Sequence, residues 1–414
     1  YILKWILISA IIGVLAGSAS AFFLVALDWA TNWRESHPWI IGLLPLGGLL
    51  IGLMYHYLGK EVEAGNNLVL EQIHKPGKML HFKMAPLILI GTVATHFFGG
   101  SAGREGTAVQ MGASIADQLN HWIKVRPRDR IIILLCGISA GFASVFGTPL
   151  AGMLFALEVY YIGRLRYNAI FPCLLAAVIG DLVCDGWGVL HTGYYINDIP
   201  LLTPLNILYT ILAGIAFGLT AVCFIRLTHA ISSRLKSKIS YAPLRPAVGG
   251  VMVVVAVLAL GTTKYIGLGI PVIVDSFEEQ LPVYDFALKL LFTAITLGAA
   301  FKGGEVTPLF FIGATLGNAL SLFIPLPMAL LAGIGFVAVF SGAANTPLAT
   351  TIMAIELFGM EAGVYAGIAC VTAYMFSGHT GIYSSQVIGE GKHLLFGREQ
   401  GMKLGALKEW RRSK

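Results

Sequence analysis

Long, almost charge-free stretches recur from one end of this sequence to the other, and nothing else in it constrains the fold so tightly. Ile6 to Leu27, Ile131 to Glu158, Ile207 to Ile225, Ala247 to Leu260 and Met328 to Phe340 are the clearest of them. Water cannot satisfy backbone groups inside a bilayer, so only helices or closed barrels cross it, and continuous rather than alternating apolar runs select helices. Composition agrees. Of 414 residues, 56% are hydrophobic and 12% charged, with a mean hydropathy of +0.77, whereas a soluble domain carries about a quarter charged residues. The expectation is an all-α polytopic membrane protein. Ser18 to Ala21 has the small-residue look of a signal-peptidase site, but further apolar segments follow, so the first is read as a retained helix.

The 28 basic and 22 acidic residues nearly balance. Basic clusters at Lys124 to Arg130, Arg234 to Lys238 and Lys408 to Lys414 fall in polar connections or the tail, where they read as membrane-flanking charge rather than a nucleic-acid surface. Cys136, Cys173, Cys184, Cys223 and Cys370 lie in or beside apolar runs without metal-ligand spacing, so they are expected to pack rather than to pair or hold metal. No cofactor is expected. An enzyme is not expected either, because no nucleophile and base set stands out. About thirty mostly polar residues follow the last apolar segment, too few for a soluble regulatory domain.

Several apolar segments are too short for a simple span of about 20 residues. Pro149, Pro308, Pro325, Pro327 and Pro347, with neighbouring glycines, cut them into pieces. The cuts repeat. TPLAGMLFALE at 148–158 returns as TPLATTIMAIE at 346–356, and GREGTAVQMGA at 103–113 as GGEVTPLFFIGA at 303–314. Two ordered matches at nearly one offset imply two homologous halves, 1–202 and 203–414, the second ending in the polar tail. Interrupted helices in corresponding places point to a transport site near the bilayer midplane, and an inverted relation between the halves is the expectation. With the offset at 200, Glu305 becomes the repeat counterpart of Glu105.

Helix N-termini present unpaired N–H groups and a partial positive charge, and so attract anions. Gly103 and Gly106 allow close backbone approach, while Pro308 marks a second helix opening in GGEVTP. Two such openings would bind an anion through amides, weakly enough for turnover. Glu105 is then a tethered anion that competes for the same place when ionised and leaves it when protonated, which would couple protons to anions. The alternative is a glutamate that only complements a helix dipole. For Glu305 two readings stand equally, a polar partner for Thr307 or the gate and a plain dipole cap. Glu158 and Glu356, each at a helix end after TPLA, read as structural anchors. Asn345 and Ser341 could cap a helix; Arg104 and Lys302 could raise local anion concentration or pair with a carboxylate.

GREG opening a helix, the downstream Gly304 to Pro308 segment and Tyr383 in GIYSSQ together resemble the CLC family of chloride channels and anion/proton antiporters, over nearly the whole chain. The resemblance implies a two-repeat antiparallel fold with many short, broken, tilted helices. It also implies a homodimer with one pore per subunit, in a cell membrane such as the bacterial inner membrane. Glu105 would be the gating glutamate. Tyr383, which alone reads as an interfacial or packing tyrosine, would close the inner side of the central anion site. Where chloride-conducting members carry G-S-G-I-P, this chain has GNNLV, which puts Asn66 at the serine and Val69 at the proline; Val306 and Thr307 stand in G-x-F-x-P, Thr107 replaces the proline of GREGP, and Val159 replaces the internal proton-transfer glutamate. These departures resemble the fluoride-exporting branch. Fluoride is small, strongly hydrated and basic, and shedding its water calls for dense donation, which Asn66 and Thr307 could supply. The expected activity is fluoride/proton antiport, with chloride transport, coupled or passive, as the alternative and a non-transport membrane enzyme or scaffold as a remote third. Fluoride, or chloride in that alternative, protons and the lipid bilayer are the expected partners.

Overall fold

The computed structural model describes residues 2–123, 125–393, 399–407 and 410. Most of the basic cluster at Lys408 to Lys414 lies outside the described residues, as does Lys124. Among the described residues, sixteen α-helices form. Eight precede residue 203: α1 (Ile2–Ser36), α2 (Leu44–Leu58), α3 (Asn66–His74), α4 (Met84–Phe98), α5 (Glu105–Gln118), α6 (Pro127–Phe146), α7 (Pro149–Glu158) and α8 (Ile170–Gly186). Eight follow: α9 (Pro204–Lys238), α10 (Leu244–Leu260), α11 (Ile270–Glu278), α12 (Asp285–Gly298), α13 (Val306–Leu320), α14 (Met328–Ala344), α15 (Pro347–Phe358) and α16 (Gly363–Phe376).

The two series match in order and nearly in length. α1 and α9 are 35 residues each, α3 and α11 nine each. Breaks fall where proline and glycine put them. Pro149 and Pro347 are the first residues of α7 and α15, where a missing N–H costs nothing. The helices before them end on left-handed residues, Gly147 at φ 69° and Asn345 at φ 60°; asparagine is among the few side chains that tolerate that region. Asn345 thus caps α14 at its C-terminal end, while the Ser341 hydroxyl donates to the Cys370 carbonyl at 2.9 Å. The uninterrupted stretch read from Ile131 to Glu158 is therefore two helices.

Close crossings use the same glycines in both halves. A Cβ on Gly112 would overlap the carbonyl oxygen of Gly137, and one on Gly313 that of Gly335. Small residues permit this approach, and dispersion over the interface holds helices together where lipid removes the hydrophobic drive. A buried aromatic stack joins the halves: Phe142 on Phe155 at 4.4 Å between ring centres, Phe310 on Phe336 at 3.9 Å, and Phe340 within 5.9 Å of Phe155 and 5.5 Å of Phe310. Of the cysteines, Cys136, Cys173, Cys184 and Cys370 are buried, whereas Cys223 is exposed on α9 and does not pack as expected.

Glu158 and Glu356 interlock the halves. Glu158 at the end of α7 accepts from the backbone N–H groups of Leu348 (3.1 Å) and Ala349 (2.9 Å) at the start of α15. Glu356 in α15 accepts reciprocally from Leu150 (2.9 Å) and Ala151 (2.8 Å) at the start of α7. Each carboxylate satisfies N-terminal donors of the other half and complements its dipole. After α16 the chain returns to the first half, where Val387–Ile388 pairs in parallel with Tyr161–Ile162.

Candidate functional site

Gly103 and Gly304 bond to each other through both backbone pairs, at 2.7 and 2.8 Å. This antiparallel bridge brings the openings of α5 and α13 together, and it fixes the repeat register at 201 rather than 200. Arg104 and Glu305 are the capping residues of the two helices, and Val306 occupies the place of Glu105. Glu305 is therefore the counterpart of Arg104, which corrects the assignment made from sequence. The error came from aligning GREG with GGEV glycine for glycine, when the extra residue lies before the motif. Pro308 likewise stands third in α13 rather than first, a position whose N–H has no helical partner in any case.

Glu105 is fully buried and its carboxylate lies across both helix openings. One oxygen, Oε2, accepts from the backbone N–H of Arg104 (3.1 Å) and of Thr307 (3.1 Å). The other, Oε1, accepts from the Thr307 hydroxyl, with the Arg104 Nε 3.8 Å away. Thus a side chain of the first half is held by main-chain and hydroxyl donors of the second, 202 residues along the chain. Both of Thr307's donors go to Glu105, so Glu305 is not its polar partner; the Glu305 side chain faces the cavity that holds Asn66. Thr107, in place of proline, shares a hydrogen bond with Thr92 at 2.6 Å, a residue that no sequence motif marks.

Glu105 lines one of three cavities near the two helix openings. A space of about 350 Å³ on one side is walled by Arg104, Glu105, Val145, Phe146, His191, Tyr194, Thr307 and Phe310. On another side a polar cavity of about 590 Å³ is lined by Gly65, Asn66, Asn67, Gln110, Lys302, Gly303, Glu305 and Tyr383. Between α3 and the aromatic stack lies a small apolar cavity, bounded by Asn66, Val69, Val109, Ile138, Phe155, Val159 and Tyr383. Asn66 and Tyr383 line both of the last two. Gly65, at φ 58°, turns the chain into α3 so that Asn66 opens the helix. The Asn66 Oδ1 is buried without a hydrogen-bond partner. Gly106 is buried, and Asn66 Nδ2 would meet a Cβ placed on it at 3.0 Å, so a larger residue there would press on the amide. Val306 is buried at the first position of α13.

Tyr383 is held by neighbours the sequence did not single out. The Ser385 N–H donates to Asn67 Oδ1 at 3.0 Å, and Gln386 Nε2 donates to the Val159 and Ala344 carbonyls, both at 2.7 Å, while Gln386 Oε1 accepts from Asn345 Nδ2 at 2.9 Å. Asn345, in the left-handed cap of α14, thereby fixes the loop that carries the tyrosine. Lys302 lies with Nζ 3.9 Å from the centre of the Tyr55 ring, a cation–π contact rather than a carboxylate pair.

The fold and this site define a polytopic helical membrane protein in which broken helices from two halves converge on one carboxylate. The chain belongs to the voltage gated chloride channel family, whose model matches residues 47–378. Among curated relatives, the chloride/fluoride channel protein of Pseudomonas syringae pv. tomato is 56% identical over 399 residues, covering 95% of this chain and 88% of the relative. Among solved structures, a CLC-type fluoride/proton antiporter superimposes with a TM-score of 0.90 at 34% identity, covering 93% of this chain and 98% of that one. A slow cyanobacterial Cl⁻/H⁺ antiporter shares the fold, with a TM-score of 0.79 at 20% identity over 90% and 94% of the two chains. The all-α CLC-type architecture expected from the sequence is the one observed.

Proposed function

We propose that this protein exports fluoride across a cell membrane in exchange for protons, with Glu105 as the group that alternates with the anion. The observation that carries the reading is the seat of the Glu105 carboxylate: donors from two helix openings, a hydroxyl and an arginine around one negative charge. Such a seat suits a dehydrated halide as well as a carboxylate. Ionised Glu105 fills it. Protonation removes the charge that holds the side chain there and frees the donors for an incoming anion, so the two ligands exclude each other. This is competition for one set of amides, and it needs no full positive charge that would trap the ion.

Asn66 and Thr307 supply the extra donors that a small, strongly hydrated anion requires, and Val306, in place of a bulkier aromatic, leaves room beside them. Tyr383 bounds the opposite end of the pathway. The halves 1–202 and 203–414 act as repeats in this reading, related by inversion, and the working unit is a homodimer with one pathway per subunit. No enzymatic step is part of it. The fluoride assignment is supported by the 34% identical antiporter as well as by Asn66. Chloride transport is the second reading, favoured by the 56% identical relative, whose name gives chloride beside fluoride.

Purified protein in liposomes with an outward fluoride gradient is expected to drive protons inward, and to do so poorly with chloride. Fluoride flux without proton movement, or equal fluxes of the two halides, would overturn the proposal.

A further inference from the structure

Away from the Glu105 carboxylate, but on the wall of its 350 Å³ cavity, His191 meets two aspartates of α8. Its Nε2 lies 3.4 Å from Asp185 Oδ1 and 3.8 Å from Asp181 Oδ1. Those separations exceed the 2.7–3.2 Å range of N–H···O hydrogen bonds. His191 Nε2 and Asp181 Oδ1 are both buried atoms without a hydrogen-bond partner. The His191 and Asp181 side chains are 19% and 15% exposed and Asp185 opens to the surface at 53%; leaving the inner atoms unpaired is costly, so the geometry points to something between them.

The placement is also electrostatically wrong for an isolated protein. Asp181 and Asp185 are four residues apart in the final two turns of α8, so they share a face and repel. That end of a helix carries the negative pole of its dipole, which disfavours carboxylates. Glu356 adds a further negative charge within reach of Asp181. No basic residue stands in the last turn of α8, and the nearby cation is Arg104, which shares the cavity wall with His191 and lies beside Glu105.

We propose that Asp181, Asp185 and His191 form a binding site for a divalent transition-metal cation of the zinc type, at the edge of the cavity leading to Glu105. One imidazole and two carboxylates match the ligand preferences of zinc, which takes nitrogen and oxygen at about 2.0–2.2 Å in a tetrahedron. Ligand atoms on such a tetrahedron stand about 3.4 Å apart, and the three atoms lie within 4.8 Å of one another. A fourth position is left for water. The signal in the sequence was faint: two aspartates four apart and a histidine in the following loop, which only the fold turns back onto α8.

The site is independent of the transport reading, so its test needs no ion flux. Tag-free protein in detergent is titrated with Zn²⁺ by calorimetry, alongside Asp181→Asn, Asp185→Asn and His191→Ala, and each is melted in chelator and in Zn²⁺. The wild type is expected to take up about one Zn²⁺ per chain and to melt higher in its presence. Each variant should bind at least tenfold more weakly and lose the thermal response, while the two aspartate variants should melt in chelator no lower than the wild type, because their mutual repulsion has been relieved. A wild type that binds no Zn²⁺, or variants that bind it as tightly, would overturn the proposal.

Discussion

Replacing Glu105 by glutamine keeps the size of the side chain and removes the charge on which the competition rests. The carboxylate accepts three hydrogen bonds, from the Arg104 and Thr307 amides and from the Thr307 hydroxyl. Bonds to a charged group contribute about 1.5–3 kcal/mol each and neutral ones about 0.5–1.5 kcal/mol. Glutamine therefore holds the seat less firmly by roughly 3–4.5 kcal/mol, or about 150- to 2,000-fold at 1.36 kcal/mol per decade. The three bonds share one carboxylate and are not independent, so these figures are ceilings. If fluoride and the side chain contend for one site, fluoride must gain what the side chain loses. Calorimetric titration of Glu105→Gln with fluoride should show binding at least tenfold tighter than in the wild type, and reconstituted variant should move fluoride without building a proton gradient. Unchanged affinity together with intact proton pumping would refute the shared seat.

Three further outcomes are expected. Asn66→Ser should narrow the preference for fluoride over chloride, read as the ratio of initial effluxes from liposomes by ion-selective electrodes; an unchanged ratio would place selectivity on the Thr307 wall. Glu158→Ala should cost up to about 3–6 kcal/mol, because two buried charge-assisted bonds to the start of α15 are lost, and the melting temperature should fall by several degrees; an unaltered melt would mean that the interlock contributes nothing. Gly313→Ala should force α13 from α14, since its Cβ would overlap the Gly335 carbonyl oxygen, and the yield of monodisperse protein on size exclusion should drop sharply, whereas Gly42→Ala, with open space around it, should not change it.

Much of the site was legible in advance because its parts are local. Gly103 to Thr107 and Gly304 to Pro308 each announce a helix opening, and an acidic residue at such an opening in an apolar chain is conspicuous. Glu158 and Glu356 read as anchors from the repeated TPLA segments alone. The register between the halves was not legible: a single extra residue before the second motif shifts every pairing, and only the Gly103 to Gly304 bridge shows that Glu305 answers to Arg104. Thr92, Asn67 and Gln386 escaped notice because each acts on a residue distant in sequence, with no spacing to mark it.

By itself the sequence determined the solvent, the helices and their breaks, all of which follow from composition and from proline, glycine and apolar patterning over short windows. Tertiary structure decided which groups meet. That Glu105 rests on Thr307, that Glu158 and Glu356 exchange helix ends, and that His191 turns back onto Asp181 and Asp185 are contacts between distant segments, set by how closely glycine-lined helices can pack. Hydrogen bonds reach only about 3 Å, so a one-residue change of register is enough to make or abolish each of them.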